Sequence, residues 1–143
     1  MKNKTDRELA VQFLAVVPRA MRVIRQQMRA LARPSFSVPH FRIMGRLYRG
    51  PATASELAEI QGVSMPAMSR MVDSLVKRGY LERTQTSRDR RHIHLHHSKK
   101  GRLEFERIRR IVQSHLAESV SMLKPADKKA LKTGLEILGG MVP

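Results

Sequence analysis

Residues 64–79, SMPAMSRMVDSLVKRG, restrict the fold more than any other stretch of this chain. Ser64 can cap a helix through its hydroxyl, and Gly79 can supply the left-handed residue that ends one. Between them Ala67/Met68, Met71/Val72 and Leu75/Val76 recur at helical spacing and make one apolar stripe. Pro66, Ser69, Arg70, Asp73 and Lys77 occupy the other side. Such a helix buries one face in its own domain and offers the other to something else.

Its neighbours give it a context. Residues 53–56, TASE, match a capping box, with Thr53 capping and Glu56 reaching back. A short helix over 56–60 follows, with Leu57, Ala58 and Ile60 apolar. Gln61-Gly62-Val63 then reads as a tight turn before Ser64 opens the next helix. Helix, Gly-containing turn, helix at this spacing is the pattern of a helix-turn-helix. Downstream, YLERT (80–84) and HIHLHH (92–97) read as two short strands around the polar turn QTSRDRR (85–91). In the second strand Ile93 and Leu95 are expected inward, and His92, His94 and His96 outward. From Lys77 to Arg102 the chain holds nine basic and two acidic residues, a concentration of charge suited to a phosphate backbone.

Composition agrees. The chain has 28 Lys+Arg against 12 Asp+Glu, a formal net charge of +16, which favours a polyanion as partner. Aromatic residues are 4% and no stacking motif is present, which argues against single-strand binding. There is no cysteine, so a thiol redox sensor and a cysteine-ligated zinc are both excluded. No apolar run approaches the roughly 20 residues that span a bilayer, and the first residues lack a signal-peptide core. A cytoplasmic protein without a membrane partner is expected.

The remaining helices flank this reader. Over residues 6–33, Ala10, Leu14, Val17, Met21, Ile24, Met28 and Leu31 form a seam for packing along another helix. Arg19, Arg22, Arg25, Arg29 and Arg33 lie on another face, and Pro18 should kink the helix or make it start afresh. A second helix is capped by Ser37, with Phe41, Met44 and Leu47/Tyr48 as its buried stripe. Beyond Gly101 a long helix runs to about Met122, with Phe105, Ile108, Val112 and Leu116 inward. A last helix from Pro125 carries Leu131, Leu135, Leu138 and Met141. Helices surplus to the reader suggest dimerisation, because two-fold DNA sites are read by two-fold proteins.

These residues resemble the MarR family of winged-helix transcriptional regulators over almost the whole chain. The family's wing pattern, Asp-x-Arg, five residues, Leu-Thr, two residues, Gly, reads here as Asp89-Arg90-Arg91, HIHLH, His97-Ser98, Lys99-Lys100, Gly101. His97 and Ser98 depart from Leu and Thr. The resemblance implies a mainly α fold with a small β-hairpin wing: one winged helix-turn-helix domain, residues 34–101 reading DNA and residues 1–33 and 102–143 forming a homodimer. It implies further that Arg91 enters a minor groove from the wing tip, oriented by Asp89, beside Arg88 and Arg90. A small aromatic or phenolic effector, in a pocket at His40, Phe41 and Met44, is also part of what it implies.

On the reader helix the outward first turns are expected at base edges: Ser64, Pro66, Ala67, Ser69 and Arg70, with Ala67 toward a thymine methyl. Thr53, Ser55 and Lys77 are the expected phosphate contacts. The function expected is that of a sequence-specific, ligand-responsive repressor on double-stranded DNA with a near-palindromic operator. It is not an enzyme and needs no cofactor: an acidic cluster for magnesium, a nucleophile motif and a Gly-rich phosphate loop are all missing. A non-specific architectural DNA binder is the first alternative. A metal-responsive regulator using His92–His97 is the second, although ligands two residues apart on a flat strand are about 7 Å apart, too far for three to share one ion.

Overall fold

The computed structural model describes residues 4–32, 36–86 and 89–141. The elements in order are α1 (Lys4–Ala32), α2 (Val38–Leu47), β1 (Ala52–Thr53), α3 (Ala54–Gln61), α4 (Met65–Lys77), β2 (Leu81–Thr86), β3 (Asp89–His97), α5 (Lys99–Ser121) and α6 (Pro125–Met141). The chain divides into two compact units, Met1–Arg109 and Arg110–Pro143. It is mostly helical, with one antiparallel sheet in the order β1-β3-β2. No described helix is long and apolar enough to cross a membrane.

In the first unit the core is built where α2, α3, α4 and the sheet meet. Ile43, Met44, Leu57, Met68, Leu75 and Ile108 are fully buried, with Val72, Leu81 and Leu95 almost so. The stripe expected on the second helix is shifted: Ile43 joins Met44 and Leu47 in the core, while Phe41 and Tyr48 are half-buried. Phe41 packs instead against the Phe105 ring at 4.7 Å, and Tyr48 against the same ring at 5.3 Å.

Three sequence expectations change. β1, two residues long, was not expected; it exists because Ala52 and Thr53 pair with Leu95 and His94 of β3. The strands of the hairpin reach farther toward its tip than the polar 85–91 stretch suggests, since cross-strand pairing continues through Gln85↔Ile93 and resumes, after an irregularity, at Thr86↔Asp89. Pro18 lies inside one continuous helix, so of the kink or restart expected there the restart does not occur. A proline in a helix interior costs about 3 kcal/mol, and the good helix formers on both sides carry α1 past it.

α1 presents much of its apolar surface to solvent. Val17, Ile24 and Met28 of the expected seam are half-buried, whereas Leu14 is 72% exposed and Met21 42%. Leu9, Val11, Phe13 and Val16 are exposed as well. In the second unit α6 has no buried residue, and Leu131, Leu135, Ile137 and Met141 are exposed.

Among the glycines described, the closest approach is at the start of α5. A Cβ on Gly101 would stand 1.9 Å from the Tyr80 carbonyl oxygen, a backbone atom that cannot rotate away. Gly134 in α6 has open space where a Cβ would go. Gly101→Ala is therefore expected to lower stability by about 3 kcal/mol or more, the range of severe single changes. Gly134→Ala should raise it by up to about 1 kcal/mol through helix propensity. Urea midpoints of the two variants beside the parent check both signs.

Candidate nucleic-acid interface

The reader begins at Thr53, whose extended backbone (φ −83°, ψ 160°) turns the chain into α3. Its amide N–H donates to the Glu56 carboxylate at 2.7 Å, and the Glu56 amide donates back to Thr53 Oγ1 at 3.2 Å. The bonds from Thr53 hold the Glu56 carboxyl below its ordinary pKa. The same bonds engage the amide and hydroxyl of Thr53, while Ser55 stays exposed.

Gly62 closes α3 in the left-handed region (φ 65°), donating to the Ala58 and Glu59 carbonyls. This turn lets α4 start three residues later, with Ser64 Oγ accepting from the Ala67 amide at 3.4 Å. Met68, Val72 and Leu75 anchor α4 in the core. Ser64, Pro66, Ser69, Arg70, Asp73 and Lys77 are exposed and Ala67 is half-buried. The structure thus brings most of the expected recognition residues onto the solvent side of one helix. It also leaves Met65, the first residue of the helix, 45% exposed.

Two features tie the wing to α4. Arg83 of β2 forms an ion pair with Asp73 of α4; both are exposed, and such surface pairs are worth about 1 kcal/mol or less. Beneath it, a 220 Å³ depression is lined by Ala54, Ser69, Val72, Arg83, Ile93 and Leu95. Small-molecule pockets usually start near roughly 300 Å³. Ile93, expected inward, faces this depression and is 43% exposed; Leu95 is buried as expected. At the tip, Arg88 lies outside the described residues, as do the side chains of Asp89, Arg90 and Arg91, although β3 starts at Asp89.

The base of the wing explains its motif residues. Ser98 Oγ–H donates to the Gly79 carbonyl at 2.6 Å and accepts from the Gly101 amide at 2.9 Å, while the Ser98 amide donates to Tyr80 at 3.1 Å. Serine preserves the hydroxyl these bonds require. His97, in the position of the family's leucine, keeps a packing role rather than lying on the surface: its ring meets Phe105 edge-on at 5.7 Å. Its Nε2–H donates to the Met44 carbonyl at 2.7 Å, joining β3 to α2. That bond fixes the neutral tautomer and leaves Nδ1 buried without a partner. Burial, partly offset by the Met44 bond, lowers the His97 pKa.

His96 makes different contacts. His96 Nε2 meets Thr84 Oγ1 at 2.5 Å, and its Nδ1 lies 3.9 Å from Glu82. Among the described residues no three His, Asp or Glu side chains converge as a metal site. At the expected effector position, Met44 is fully buried, Phe41 packs on Phe105, and His40 bonds the Ser37 hydroxyl at 3.0 Å. The His40 pKa is lowered by burial and, secondarily, by Arg78.

A histidine whose folded pKa lies below its unfolded value of about 6.5 contributes stability that is fully present above 6.5 and lost as pH falls through the folded pKa. The parent should therefore lose stability as pH falls below 6.5. His97→Leu should show a smaller drop between pH 7.5 and pH 5, with His40 supplying part of what remains. Urea titrations at both pH values compare the slopes; equal drops would remove His97 from this role.

Known proteins share this architecture. Residues 35–92 match the model of the MarR family. YfiV of Bacillus subtilis (strain 168), described as an uncharacterized HTH-type transcriptional regulator, is 27% identical over 103 residues, 71% of this chain. The chain spans 64% of that relative's length. The crystal structure of RV1404 from Mycobacterium tuberculosis superposes with a TM-score of 0.81 at 23% identity, covering 100% of this chain and 98% of the other. FabT of Streptococcus pneumoniae, solved in complex with DNA, gives 0.70 at 19% identity, covering 94% and 95%. The helix-turn-helix and the wing as far as residue 92 lie inside the matched residues, so this part of the chain is similar to the MarR family, and the chain has the winged-helix fold of the solved structures on which it superposes.

Proposed function

We propose that the protein is a dimeric, sequence-specific repressor that lays α4 in the major groove of a near-palindromic operator. The observation that carries this reading is the division of α4. Met68, Val72 and Leu75 are locked in the core, and Ser64, Pro66, Ser69 and Arg70 stand in solvent. Helices of this motif point their first turns at base edges. Serine hydroxyls can donate or accept there, and arginine can hold guanine bidentately or a phosphate. Ala67 remains a candidate for a base methyl, and Ser55 and Lys77 for phosphates; Thr53 would contact one only past the Glu56 carboxylate. Arg91 is assigned to a minor groove, with Asp89 orienting it and Arg88 and Arg90 on the backbone, because narrow minor grooves attract arginine.

The homodimer would bury what the single chain leaves in water: Leu14 and Met21 with their neighbours on α1, and Leu131, Leu135 and Met141 on α6. Exposed apolar faces of this kind mark interaction surfaces. A small aromatic anion reaching His40, Phe41 and Met44 would have to part Phe41 from Phe105. That movement would disturb α2, and with it the His97–Met44 bond at the wing base, coupling effector to reader.

Selection of bound fragments from the parent genome at two salt concentrations tests the reading. A shared near-palindromic site, its half-sites about one helical turn apart, is the expected result; equal affinity for all DNA would point to an architectural binder. With about five phosphates neutralised per subunit, log K should fall against log salt with a slope near about −9. Arg91→Ala should weaken operator binding more than Arg25→Ala in titrations at fixed salt. Leu14→Glu is expected to shift the protein to monomer in sedimentation and to lose operator affinity with it.

A further inference from the structure

We infer that Met65 is a specificity-determining residue that reads the C5-methyl group of a thymine in the major groove, an inference that rests on the DNA-reader assignment above. Every other Met, Val, Leu or Ala of α4 is buried or half-buried. Met65 stays 45% exposed in the first turn, immediately after the Ser64 cap. The core does not use it.

Its place on the helix fits a reader. Met65 precedes Ser69 by four residues, so the two side chains lie one above the other on one side of α4. Ser69 is exposed. The N-terminal turn is the part of such a helix that approaches base edges. The apolar feature a duplex presents in its major groove is the thymine C5-methyl. An unbranched thioether adapts its shape to an irregular apolar surface, and it reaches farther than the methyl of Ala67, which is half-buried. Ser69 would then supply the polar contact, and Met65 the apolar one, to neighbouring base pairs.

The test uses the full-length protein and the operator recovered by genomic selection, with each thymine replaced in turn by deoxyuridine. Deoxyuridine removes the methyl and leaves pairing intact. The parent should lose about four-fold in affinity at one thymine per half-site, the worth of one buried methyl. Met65→Ala and Met65→Gln should bind the thymine and deoxyuridine operators equally at that position, while Ala67→Gly keeps the discrimination. Circular dichroism and urea midpoints confirm that the variants fold. If the parent ignores the methyl at every thymine, or if Met65→Ala still detects it, the inference is overturned. Loss of the discrimination in Ala67→Gly rather than in the Met65 variants would transfer the role to Ala67. A selection that recovers no shared site overturns the reader assignment itself, and the role of Met65 with it.

Discussion

The approach of the Gly101 backbone to the Tyr80 carbonyl sets the geometry of the DNA-binding unit. α4 ends at this place, β2 begins there, and α5 departs from it. A side chain on residue 101 would hold these segments apart. The gap is closed by backbone groups and one hydroxyl: Ser98 bonds Gly79 and Gly101 at once, and its amide bonds Tyr80. A substituent here cannot be absorbed by a rotamer change, so the angle between reader helix and wing is fixed by main-chain sterics.

Around that junction lies most of the chain's aromatic surface. Phe36 meets Tyr80 edge-on at 4.8 Å, Phe105 touches Phe41 and Tyr48, and His97 completes the group. Cations cover its outer edge: Lys100 and Arg78 over Tyr80, Arg102 and Arg109 over Tyr48. In a chain of net charge +16 this arrangement lets several cations sit close together while resting on the negative faces of rings. The positive field is thus held on a rigid base, and self-repulsion falls when a polyanion binds.

Local features were legible in the sequence because their causes are local. Thr53, Glu56, Gly62 and Ser64 announce caps and a turn through chemistry within four residues, and all four do what their types suggest. The spacing of Met68, Val72 and Leu75 gave the buried side of α4 for the same reason. What escaped depends on distant partners. β1 has only two residues and exists through pairing with β3. His97 sits in an alternating histidine tract that reads as surface, and only the closeness of α2 and α5 makes it a half-buried donor. The Glu56 carboxylate was legible as a cap, but its bond to the Thr53 hydroxyl as well as to the amide needed the geometry.

The split of α4 into a locked face and a free face bears on how such a protein can change. Ser69 and Arg70 carry no share of the packing, and Met65 carries little. Surface substitutions of this kind usually move stability by no more than about 0.5 kcal/mol. On the reading of α4 proposed above, new sequence preferences can arise here by single steps that leave the folded protein abundant, without a prior stabilising change elsewhere, while the junction at Gly101 admits almost no variation.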